Sequence, residues 1–120
     1  MKAVHAPIFV QILENIKDDI MSGKYAVNAL ITSTTRLAKQ YSVNRLTATK
    51  SVKILADEGI VYKKRGIGMC VKEGAKEIIL AQRTKRFYES TVSELLAEAK
   101  KLHINKSALI GLISKSKDFA

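Results

Sequence analysis

The sequence predicts a mainly α-helical protein with one small β-hairpin and a helical extension. Three observations predict it. Apolar residues recur at helical spacing in several separate stretches. A single pair of short β-prone runs flanks a Gly-Ile-Gly tip. A long Gly- and Pro-free stretch then follows from about Ala75 to Leu102. The 120 residues are 47% hydrophobic and carry a formal net charge of +10. That is enough chain for one core plus an appended element, and too apolar for a disordered tail. A surplus of positive charge attracts polyanions, nucleic acid above all.

The first helix is expected at residues 8–22. Ile8, Ile12, Ile16 and Ile20 recur every four residues, and Phe9 and Leu13 widen the stripe. Pro7 suits its first turn and Gly23 its end. Residues 24–32 show no clear period and read as a connection. Ser33 or Thr34 can cap a second helix reaching about Tyr41, with Leu37 and Ala38 facing inward. Val43 lies in the short turn that follows. Asn44 can cap a third helix that runs to Glu58 with Ala48, Ser51, Val52 and Leu55 inward, and Gly59 ends it.

Ile60-Val61-Tyr62 and Met69-Cys70-Val71 read as two strands around Lys63-Lys64-Arg65-Gly66-Ile67-Gly68. Glycines at such a tip supply the positive φ that the turn needs. From about Ala75 to Leu102 one long helix is expected. Leu80 and Phe87 lie seven apart. Tyr88, Leu95 and Leu102 continue that interval on a neighbouring line, and Val92, Leu96 and Ala99 lie beside them. A seven-residue interval suits a helix seam against a partner. Asn105 can cap a short last helix rich in apolar residues. The expected domains are therefore residues 1–74 and 75–120.

Charge is concentrated. Residues 36–72 hold nine cations, Arg36, Lys39, Arg45, Lys50, Lys53, Lys63, Lys64, Arg65 and Lys72, against Asp57 and Glu58, a net +7 of the +10. The excess thus falls on the helical pair and the hairpin. A helix preceded by a tight turn can enter a major groove by its N-terminal end. There Arg45 can donate two hydrogen bonds to guanine, and Thr47 can meet a base edge or a phosphate. Lys50 and Lys53 suit phosphates. Lys63, Lys64 and Arg65 suit a backbone or minor-groove contact.

These residues carry a resemblance. Residues 7–71 resemble the winged helix-turn-helix domain of the GntR family of bacterial transcription regulators: IFVQILENIKDDIMSGKY its opening helix, RLAKQYSVN its second helix and turn, NRLTATKSVKILADEGIV its recognition helix, KKRGIGMCV its wing. The resemblance implies double-stranded DNA as partner, with Ser33, Arg36, Asn44, Arg45, Thr47, Thr49, Lys50, Lys63, Lys64, Arg65, Gly66 and Gly68 in the binding set. Two positions depart from the family pattern. Thr35 stands where an arginine is usual, with Arg36 one place later, and Thr49 stands where a second recognition-helix arginine is common. An operator unlike the typical family site is implied.

The 46 residues from Ala75 to Ala120 are fewer than large family members append. EAKKLHINKSALIGLI resembles the end of the YtrA subfamily, in which the appended helices dimerise and transporter operons are commonly controlled. That implies a homodimer held by Leu80, Phe87, Tyr88, Val92, Leu95, Leu96 and Leu102, a pseudo-palindromic operator and a repressor.

Other functions find little support. No catalytic set of nucleophile, base and acid is apparent, which points away from an enzyme. His5 and His103 lack metal-ligand spacing, so no metal or other cofactor is expected. Cys70 is the only cysteine, which excludes an intrachain disulfide. No apolar run nears the roughly 20 residues of a membrane span, and Glu14, Asp18 and Asp19 interrupt the first helix, so neither a membrane protein nor a signal peptide is expected and the cytoplasm is favoured. Two rival readings stay open: a winged module that binds an acidic protein, and a sensor with a small-molecule pocket at a dimer cleft, its effector unknown. Few aromatics, 6%, speak against RNA binding by base stacking.

Overall fold

In the computed structural model, which describes residues 6–119, three helices and a hairpin build one compact unit, and the chain divides into a second unit between Arg83 and Thr84. The helices of the first unit are α1 (Ile8–Met21), α2 (Thr34–Gln40) and α3 (Arg45–Asp57). Strands β1 (Val61–Lys64) and β2 (Gly68–Val71) pair antiparallel with Val61 opposite Val71 and Lys64 opposite Gly68. The four-residue stripe of α1 does what its period predicts: Ile12, Ile16 and Ile20 are buried with Leu13, while Ile8 stays exposed at the helix start. Pro7 is the residue before the first turn, not inside it.

Side-chain caps start α2 and α3. Ser33 Oγ accepts from Arg36 N at 3.2 Å, and Asn44 Oδ1 accepts from Thr47 N at 2.9 Å. Each satisfies one of the amides that a helix start leaves without a partner. Leu37 from α2 and Ala48, Val52 and Leu55 from α3 close the core over α1, with Ile60, Val61 and Val71 of the hairpin beneath them. Ser51, fully buried, donates its hydroxyl to Phe9 O at 2.9 Å and so fastens α3 to α1.

The connection at 24–32 has more structure than its sequence suggests. Asn28 N donates to Val71 O, Val71 N to Ala29 O and Ile31 N to Met69 O, at 2.8–3.0 Å. Leu30 therefore bridges Cys70, and β2 is paired on both edges. No alternation announces this, because only Ile31 of the segment is fully buried. Cys70 is a buried free cysteine on β2.

The core also runs past the expected boundary at Gly74. Helix α4 (Ala75–Arg86) buries Ala75 and Ile79 against it. A polar cluster adds to this attachment. Lys17 Nζ meets Gln82 Oε1 at 3.0 Å and Glu14 at 3.4 Å, and it pairs with Glu58 at 3.1 Å as an ion pair rather than an aligned hydrogen bond. Arg83 reaches Asp18 at 2.8 Å and Glu14 at 3.4 Å.

The single long helix expected from 75 to 102 is interrupted. After α4 comes a π-helical turn, Phe87–Val92, then α5 (Ser93–Lys101). A π turn takes up one additional residue. The one-residue step between the Leu80/Phe87 row and the Tyr88/Leu95/Leu102 row falls at this turn, so the sequence carried the signal of the interruption. Phe87 and Tyr88 meet edge to face, centroids 5.4 Å apart. His103, at φ 58°, makes the turn to α6 (Lys106–Lys115), which Asn105 caps by accepting from Ala108 N at 2.9 Å. No helix among the described residues is long and apolar enough to cross a membrane.

Candidate nucleic-acid interface

The N-terminal end of α3 is an exposed, polar and cationic surface held on a rigid base. Ala48, Ser51, Val52 and Leu55 anchor one face, and Asn44, Arg45, Thr49 and Lys50 are exposed. Asn44 Oδ1 takes two protons from Thr47, that of the amide and that of the hydroxyl at 3.0 Å. With its own proton committed, the Thr47 hydroxyl offers acceptor lone pairs outward. Arg45 pairs with no acid among the described residues and keeps all its donors. Lys50 places its ammonium 3.9 Å from the centroid of the Phe9 ring, a cation–π contact that parks the charge at the rim of α3. Lys53 pairs with Asp57 at 3.6 Å, both well exposed, a weak surface contact that a phosphate can replace.

The hairpin supplies the second cationic element. Lys63, Lys64 and Arg65 are exposed along its end, and Ile67 N donates to Lys64 O at 3.0 Å to close the turn. Gly66 has φ 78° and Gly68 φ 138°, both in the region that favours glycine. Gly68 belongs to β2 rather than to the tip, and a Cβ there would stand 2.9 Å from Leu30 Cδ1. Its role is to let Leu30 close on the ribbon.

Ser33, Arg36, Ile67 and Gly68 line one cleft of about 430 Å³ with Leu30, Thr34 and Val52, so the start of α2, the middle of α3 and the wing tip share a surface. Thr35 is exposed beside Arg36. Among the expected dimer residues Leu80, Phe87, Tyr88, Leu95, Leu96 and Leu102 are exposed and Val92 is half-buried. His5 lies outside the described residues. No group of three or more His, Cys, Asp or Glu side chains fit for a metal occurs among the described residues. Two exposed apolar residues of this surface escaped sequence reasoning, Leu46 and Ile67, at 79% and 57% exposure. For Leu46 the signal was available, because it stands off the inward row of α3.

A capped third helix with a free arginine in its first turn, set on a three-helix core beside a basic two-stranded ribbon, defines the winged helix-turn-helix class of transcription regulators. The chain belongs to the GntR family: the model of the bacterial regulatory proteins of the gntR family matches residues 9–71. It is 32% identical over 87 residues to the uncharacterised HTH-type transcriptional regulator YurK of Bacillus subtilis, spanning 71% of this chain and 36% of YurK. It is 30% identical over 71 residues to the HTH-type transcriptional repressor NagR of the same organism, spanning 59% of this chain and 29% of NagR. The chain thus spans about a third of the length of these curated relatives. A GntR-family regulator from Bacteroides thetaiotaomicron superposes with a TM-score of 0.72 at 31% identity, over 88% of this chain and 92% of that one. The DNA-binding domain of AraR, solved in complex with its operator ORR3, matches 54% of this chain and 78% of its own with a TM-score of 0.52 at 31% identity.

Proposed function

We propose that this protein is a homodimeric, sequence-specific DNA-binding repressor of the YtrA subfamily that acts on a pseudo-palindromic operator in the cytoplasm, with transporter genes as its regulated class. One observation carries the reading: the exposed, acid-free first turn of α3 and the basic wing belong to the same compact unit. Arg45 reads guanine from the major groove, and Thr47 accepts from a base amino group beside it. Asn44, Thr49, Lys50, Ser33 and Arg36 hold the backbone near the two helix starts, and Lys63, Lys64, Arg65 and the Gly66–Gly68 tip follow the flanking phosphates.

The second unit supplies the dimer. Leu95, Leu96, Leu102, Ile104, Ile110, Leu112 and Ile113 are all exposed within the 36 described residues from 84 to 119. So much exposed hydrocarbon on two short helices and the turn between them calls for a partner surface, and a second copy supplies it symmetrically. The names of NagR and of the histidine utilization repressor of Klebsiella aerogenes, 26% identical over 116 residues, support repression as the sign of regulation.

Selection of bound duplexes from a random pool tests the whole reading. The expected result is enrichment of two inverted half-sites whose centres lie one helical turn or a multiple apart, about 10–10.5 base pairs per turn. Enrichment of nothing above background refutes DNA reading, and enrichment of a single unpaired half-site refutes the symmetric dimer.

A further inference from the structure

We infer that Leu46 is a specificity residue, reading a thymine methyl group at one position of each half-site; this rests on the DNA-binding reading above. Leu46 is the second residue of α3 and is 79% exposed, more than any other large apolar residue described. Successive helix residues turn by about 100°. On that wheel Ala48, Ser51, Val52 and Leu55, the buried residues of α3, form one narrow sector. Leu46 falls roughly opposite its centre, whereas Arg45 and Thr47 point to either flank. Leu46 is therefore the side chain of the first turn that projects most directly away from the core, at the end of α3 that the DNA-binding reading puts in the major groove. Thr49, Lys50 and Lys53 share its half of the helix, so a polar, cationic border surrounds a single hydrocarbon group.

The chemistry of the groove then selects its counterpart. In the major groove every base edge offers hydrogen-bond donors or acceptors, and the one apolar feature is the C5-methyl of thymine. A leucine pressed onto a donor or acceptor strips it of water without replacing the bond, which is unfavourable. Against a methyl group it removes hydrocarbon from water on both sides. Leu46 makes no demand on the fold that would explain a leucine at this place, since its side chain meets solvent.

The test uses the full chain and the operator obtained by selection. Each thymine of one half-site is replaced in turn by deoxyuridine, which deletes the methyl and leaves pairing intact, and binding is measured by titration. The wild type loses about fourfold affinity at one position, ~0.8 kcal/mol for one methyl-sized group. Leu46→Ala binds the thymine and deoxyuridine operators equally there, while Arg45→Ala keeps the discrimination. Cytosine at that position weakens wild-type binding, and 5-methylcytosine recovers part of the loss. A wild type indifferent to deoxyuridine at every thymine overturns the inference and leaves DNA binding standing. A Leu46→Ala protein that still discriminates also overturns it. A protein with no selected operator overturns the DNA-binding reading itself.

Discussion

At the scale of single residues, what the candidate recognition surface offers depends on which polar atoms the fold has already used. Asn44 and Thr47 satisfy each other, so Asn44 Oδ1 is spent inside the protein and the Thr47 hydroxyl faces outward as an acceptor. Arg45, one residue after the cap, retains its five donors in a planar fork that matches guanine O6 and N7. Arg45→Ala should therefore weaken binding to the selected operator by one to two orders of magnitude, the range that ~1–3 kcal/mol of base discrimination implies. Binding to random duplex should fall only about threefold, the part owed to one cation. Competition titrations at fixed salt measure both, and equal losses on the two DNAs would remove Arg45 from the base-reading set. Lys50 was legible as a cation but not as a cation resting on Phe9, a contact between α3 and α1 that only folding creates.

At the scale of elements, the role proposed for the wing is electrostatic. Lys63 and Lys64 are exposed on β1 and pair with no acid among the described residues. Each phosphate contact lowers the slope of log affinity against log salt by about 0.9. The double variant Lys63→Ala/Lys64→Ala should bind all sequences less tightly and show a salt slope shallower by nearly 2, read from titrations between about 50 and 200 mM salt. A slope unchanged within error would take the wing off the phosphates. Elements are also locked to one another through Lys17, which sits 5% exposed among Glu14, Glu58 and Gln82. It joins α1 to the end of α3 and to α4. Lys17→Met removes the cation that Glu14 and Glu58 share, although Arg83 still reaches Glu14. We expect a loss of about 2–4 kcal/mol by urea unfolding, less than the upper range for fully buried pairs because Glu58 is one-third exposed. A loss below 0.5 kcal/mol would mean that water replaces the lysine. Helical patterning alone does not mark Lys17 for burial, since its partners Glu58 and Gln82 lie 41 and 65 residues away.

At the scale of the whole molecule, two units with different economies of surface are joined within α4. The first closes its own core. The second keeps most of its large apolar residues exposed, and the proposed dimer rests on that surface. Leu95→Glu/Leu102→Glu places charges on that surface and should shift the protein to monomer in sedimentation velocity. Operator affinity should fall at least tenfold, since each half-site then binds alone, while the circular dichroism of the first unit persists. A dimer that survives the double change would locate the interface elsewhere.

What the sequence determined by itself is what short-range physics controls. The four-residue stripe of α1, the caps at Ser33, Asn44 and Asn105, the glycines of the wing and the gathering of cations in residues 36–72 each depend on neighbours a few positions away. The tertiary structure alone decided the pairing of residues 28–31 with β2, the reach of the core to Ile79, the burial of Lys17 and the resting place of Lys50. Each of these joins atoms far apart in the chain. Local propensity does not encode such contacts; they follow from how the helices and ribbon close over one another to exclude water.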